Sequence, residues 1–203
     1  MMQPNRRADV SMDLYKFLDD ELAEHRETFE ATGRTIDRPF AAALAMIEVS
    51  IQAGGKLMIF GNGGSAADAQ HIAAELVIRY TKDRAAISAI ALTADSSSMT
   101  ACANDLGYDA IFARQIEALT RPGDVALGIS TSGNSPNVLA GLKEAKRRGA
   151  ATVGLTGGSG GSITECCDVV LAVPSRVTAR IQEMHIMIGH MLCKALEQRL
   201  GLV

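Results

Sequence analysis

Five short apolar runs recur along the chain, at residues 56–60, 86–92, 124–130, 151–156 and 168–173. Continuous apolar strands of this length, each parted from the next by a helical stretch or a long turn, point to a parallel sheet covered on both faces. Helical patterning fills the gaps at about 66–80, 110–119 and 136–148, with a short helix near Ile163 and a long last helix at about 178–200. Upstream, residues 13–31 place Leu14, Phe17, Leu18, Leu22 and Phe29 at helical spacing. That helix precedes the first strand and has no sheet partner in sequence, so it is expected to pack on the domain's flank or on another subunit. Asp37 is placed to cap a second helix starting near Pro39 and ending before Gly54-Gly55.

A chain of 203 residues that is 47% hydrophobic is sized for one α/β domain, 1–203, with a helical extension over about 1–54. A formal charge of −3 and no basic run longer than Lys146-Arg147-Arg148 leave no footprint for nucleic acid. No apolar segment reaches the roughly 18 residues that span a bilayer, and the first residues, 1–13, are polar rather than signal-like, so a cytoplasmic protein is expected. Cys102, Cys166, Cys167 and Cys193 have no CxxC spacing and read as buried, reduced thiols.

In an open parallel sheet, ligands bind beyond the carboxyl ends of the strands. The first such end carries Gly61-Asn62-Gly63-Gly64-Ser65 and opens a helix, a turn whose free N–H groups suit an anion. One turn on, His71 and Glu75 stand four apart and share a helix face. The third strand ends in Ser130-Thr131-Ser132-Gly133-Asn134-Ser135, a nest of hydroxyls fit for a sugar phosphate. Gly61-x-Gly63-x-x-Ala66 also fits a relaxed dinucleotide fingerprint with Asp95 as the ribose ligand. Against that reading, Asp95 lies 34 residues beyond Gly61 instead of about 20. On the last helix Gln182, Glu183, His185 and His190 could join His71 and Glu75 in a metal or acid–base cluster. Spacing does not choose between His185 and His190, and about 12 Å of helix rise separates Gln182 from His190.

These segments resemble the sugar isomerase (SIS) domain and, more closely, the phosphoheptose isomerases. The likeness covers nearly the whole chain: GNGGSAADAQHIAAEL from Gly61, ANDLGY from Ala103, GDVALGISTSGNS from Gly123, LTGGSGG from Leu155, VPS from Val173 and RIQEMH from Arg180. The resemblance implies a flavodoxin-like three-layer sandwich with a five-stranded parallel sheet, and a homotetramer with active sites between subunits. It also implies conversion of sedoheptulose 7-phosphate to glycero-manno-heptose 7-phosphate, the entry to heptose-containing polysaccharide. By the same resemblance Asn62, Gly63, Gly64, Ser65, Glu75, Arg79, Asn104, Asp105, Ser130, Thr131, Ser132, Ser135 and Gln182 contact substrate. His71, Glu75, Gln182 and His190 would bind one Zn2+ per subunit, with Glu75 as base and His190 as acid. Some members carry an acidic residue just before Arg-Ile-Gln, where this chain has Ala179. A second branch of the fold binds the replication initiator protein and lacks the acid and the imidazole found here at Glu75 and His190.

Overall fold

A computed structural model describes residues 12–203. Five parallel strands form one sheet: β1 (Leu57–Gly61), β2 (Ala89–Ala91), β3 (Val125–Ile129), β4 (Ala151–Gly157) and β5 (Val169–Val173). Their spatial order is β2-β1-β3-β4-β5, the flavodoxin-like order, and the register pairs Leu57 with Val125 and Val125 with Ala151. Seven α-helices accompany them among the described residues: α1 (Leu14–Gly33), α2 (Asp37–Gln52), α3 (Gly64–Val77), α4 (Ser96–Asp105), α5 (Ile111–Leu119), α6 (Pro136–Arg147) and α7 (Thr178–Arg199).

Alternation along the strands divides the core in two. Leu57 and Ile59 point into one cluster with Ile47 of α2, Ile72 and Leu76 of α3, and Met184, Ile188 and Leu192 of α7. Met58 and Phe60 point into the other, with Phe112 and Ile116 of α5 and Val138 and Leu142 of α6. All five residues of β1 and of β3 are buried, as a central parallel strand requires.

The expected elements are all present, with shifted limits and one addition. The second strand shrinks from 86–92 to Ala89–Ala91, because it pairs on one side only, with β1. The addition is α4, which no apolar periodicity announces. Asp95 caps it by accepting from the N–H groups of Ser97 and Ser98, at 3.0 and 3.1 Å. The same carboxylate also accepts from the Ser98 hydroxyl at 2.6 Å, which corrects its reading as a ribose ligand. Helix α2 begins at Asp37 itself, so that side chain sits in the first turn and not at the cap. Cys102, Cys166 and Cys193 are buried, Cys167 is half-buried, and all four are free thiols.

Helix α1 lies against α7 through polar contacts. Arg180 donates to the Glu21 carbonyl at 2.7 Å and to its carboxylate at 3.1 Å, and also pairs with Glu183 at 2.9 Å. His25 Nδ1 lies 2.7 Å from Glu183. Only Thr28 and Thr32 of α1 are buried, while Leu14, Phe17, Leu18, Leu22 and Phe29 are exposed. No helix among the described residues is long and apolar enough to cross a membrane.

Candidate metal and substrate site

Helix α3 starts directly from β1 through the glycine turn. Gly63 adopts φ +55°, in the left-handed region that favours glycine, at the position preceding the helix. At Gly64 the Gln182 side chain comes close: a Cβ there would stand 2.5 Å from its amide nitrogen, so the side chain would have to move aside. Gln182, near the start of α7, therefore lies directly over the turn.

Two turns into α3, His71 and Glu75 face α7. His71 Nε2 lies 3.3 Å from Glu75 Oε1 and 2.9 Å from His190 Nε2, with the imidazole rings 5.0 Å apart and inclined at 63°. One ligand atom from each of His71, Glu75 and His190 lies within 4.8 Å of the others. The Tyr80 ring backs His190 at 5.6 Å. Of the two histidines that spacing left open, the fold brings His190 beside His71 and Glu75. His185 turns away, is fully buried, and its Nε2 meets the Thr156 carbonyl at the end of β4 at 3.0 Å. Burial pulls its pKa down to about 4, against a smaller opposing effect of that hydrogen bond.

The donor set suits a borderline metal. Zinc–nitrogen bonds of about 2.0–2.1 Å in a tetrahedron hold ligand atoms about 3.3 Å apart, so the two imidazoles need separate by only a few tenths of an ångström. Two nitrogens and a carboxylate oxygen match the catalytic zinc pattern, which leaves a fourth position for another ligand or substrate.

The hydroxyl loop lies across the crevice. Ser130 is buried and its Oγ lies 2.9 Å from Ser135 Oγ. Ser132 Oγ accepts from the Asn134 N–H, and Asn134 in turn accepts from the Ser162 N–H, tying this loop to the one after β4. Gly133 seals that junction with φ +68°, since a Cβ there would collide with the Gly160 carbonyl. Thr131 and Ser132 line a crevice shared with Gly157, Gly158 and Arg176.

Asn62 is held by groups that sequence reading missed. It donates to Asn137 Oδ1 at 2.9 Å and accepts from Asn137 Nδ2 at 2.8 Å and from the Tyr108 hydroxyl at 3.0 Å. One amide hydrogen remains for a ligand. Asn137 follows the Ser135-Pro136 start of α6, a position that signalled only a helix N-terminus. Ser65 is buried against Gly61. Three expected substrate residues are exposed: Arg79 after α3, and Asn104 and Asp105 at the end of α4, where Asn104 donates to Asp105 at 2.7 Å.

The comparisons with known proteins agree with this geometry. Residues 22–157 match the SIS domain family model. A phosphoheptose isomerase of Paramagnetospirillum magneticum is 58% identical over 89% of this chain and 94% of its own length. The structure of phosphoheptose isomerase GmhA from Neisseria gonorrhoeae superposes with a TM-score of 0.86 at 40% identity, covering 91% of this chain and 99% of that one. A phosphoheptose isomerase from Francisella tularensis gives a TM-score of 0.89 at 34% identity, covering 92% and 100%. With a family match over most of its length and the His71–Glu75–His190 cluster between α3 and α7, the chain belongs to the phosphoheptose isomerases of the SIS-domain family.

Proposed function

We propose that this chain interconverts sedoheptulose 7-phosphate and glycero-manno-heptose 7-phosphate at the junction of α3 and α7. The observation that carries the reading is the meeting of His71, Glu75 and His190, which are brought together from 119 residues apart in sequence. Moving a carbonyl from C2 to C1 requires a base that takes the C1 proton and returns it at C2. A second group must carry a proton between the two oxygens.

Glu75 is the base and His190 the proton carrier. Glu75 meets His71 through Oε1, and its other oxygen has no hydrogen-bond partner among the described residues, so it can accept the carbon-bound proton. Gln182 and the free amide hydrogen of Asn62 orient the sugar hydroxyls. Ser130, Thr131, Ser132 and Ser135 hold the phosphate, with Gly63 and Gly64 contributing backbone N–H groups and Ser65 closing the turn through its bond to the Asn62 carbonyl. His71, Glu75, Gln182 and His190 would hold a zinc ion, which polarises the carbonyl and steadies negative charge on the two oxygens.

The active unit is a homotetramer. Exposed Leu14, Phe17, Leu18, Leu22 and Phe29 on α1 support burial against a second copy, and the exposed Arg79, Asn104 and Asp105 then serve a site completed between subunits. The four free thiols support a cytoplasmic location.

Incubating the protein with sedoheptulose 7-phosphate and zinc, and following aldose formation by NMR, tests the reading. Turnover lost in Glu75→Gln is expected. No turnover by the wild type would point instead to the initiator-binding branch of the fold. Thermal stabilisation by NAD but not by a sugar phosphate would point to a dinucleotide enzyme.

A further inference from the structure

Beneath the metal cluster lies an ion pair taken out of water. Arg84, in the loop after α3, and Glu197, seven residues beyond His190 on α7, have side chains 1% and 0% exposed and meet at 2.9 Å. The rest of the guanidinium reaches the Ala85 carbonyl at 3.0 Å and the end of α3. It donates to the Leu76 carbonyl at 2.7 Å and to the carbonyl of Glu75 itself at 2.8 Å, two of the acceptors that a helix leaves free at its end. Glu197 also accepts from the Tyr80 N–H at 3.0 Å and from the Thr81 hydroxyl at 3.3 Å. Tyr80 is the residue whose ring backs His190.

One buried pair therefore touches both helices that carry the cluster. It grips α3 at the backbone of Glu75, roots in α7 two turns from His190, and sets the Tyr80 ring behind that imidazole. Arg suits this task and Lys does not, because three of its N–H groups point in fixed directions at three different acceptors. Breaking such a pair leaves a charge stranded in the interior, whereas replacing both members with apolar groups is often tolerated.

We propose that Arg84 and Glu197 are positioning residues that hold α3 and α7 at the separation His71, Glu75 and His190 need to share a metal ion. The inference rests on the metal reading given above. It assigns the pair a role in the site, beyond its contribution to the fold.

The test measures zinc affinity of the metal-free protein by competition with a chromophoric chelator, with folding followed by circular dichroism. Glu197→Gln keeps the shape but removes the charge, and the double variant Arg84→Met/Glu197→Leu removes both charges. Both are expected to weaken zinc binding about tenfold or more, the usual scale for groups that orient metal ligands. They should also lower kcat with little change in KM. Arg199→Ala, which removes the pair between an exposed Arg on α7 and the buried Glu48 of α2, should leave zinc affinity at the wild-type value. A folded Glu197→Gln or double variant that binds zinc within twofold of wild type overturns the proposal. Loss of the fold in both variants overturns it too, by making the pair a requirement of the fold instead of the site. Zinc binding by the wild type that vanishes in His71→Ala supports the underlying metal reading separately, and no binding by the wild type would overturn both.

Discussion

The two faces of the sheet are built on different terms. Behind β1 and β3, helices α4, α5 and α6 close a dry layer in which Phe60 and Phe112 stack at 5.1 Å among aliphatic side chains. In front, α2, α3 and α7 enclose a larger apolar layer that also contains His185 and the Arg84–Glu197 pair, with His71, Glu75 and His190 at its rim. Buried polar groups require matched partners, and the Arg84–Glu197 pair finds its own on both helices that carry the proposed chemistry. Both faces therefore supply packing stability, and the front, with the larger apolar cluster, also fixes the positions of polar groups.

The largest expected effect is on the front face and falls on rate, not stability. Glu75→Gln should lower isomerase turnover by about 10² to 10⁴, the range for a general base, with the unfolding midpoint nearly unchanged. Turnover within tenfold of wild type would remove Glu75 from its role. On the back face the signs reverse. Phe112→Ala should cost about 3–5 kcal/mol in urea unfolding and leave zinc affinity of the folded protein intact. A loss of zinc affinity there would show that the two faces are energetically coupled.

His185 sharpens the contrast through pH. Its pKa is held down to about 4 when folded, against about 6.5 when unfolded, so between these values the unfolded chain binds the extra proton. Its contribution to stability is complete above pH 6.5 and lost as pH falls toward 4, by up to about 3 kcal/mol. Gln can still donate to the Thr156 carbonyl, so His185→Gln should flatten the fall in melting temperature between pH 7 and pH 5. An unchanged slope would place the acid sensitivity elsewhere. The smallest effect belongs to the back face: Asp95→Ala removes a helix cap and should be seen as faster amide exchange in α4 alone.

Periodicity made the framework readable before any coordinates. Each strand of 56–60, 124–130, 151–156 and 168–173 is apolar on both faces, and that signal survives in the sheet with small shifts of its ends. Helix α4 was not readable, because Ser96, Ser97 and Ser98 carry no apolar stripe and the helix depends on one capping carboxylate. In the site, His71 and Glu75 were legible from their spacing of four, whereas the choice of His190 over His185 needed the direction each leaves α7. The Asn62–Asn137 amide pair, the Tyr108 hydroxyl and the Arg84–Glu197 pair join residues 46 to 113 positions apart, and nothing local in sequence marks such partners.

The attachment of α1 has a consequence for its motion. Its grip on the chain's own α7 is a handful of charged contacts around Arg180, while its larger apolar side chains point outward. Anything that covers those apolar side chains should tighten the grip. Left uncovered, the chain is then expected to fray at this helix first, with its amides exchanging with solvent while the strands stay protected.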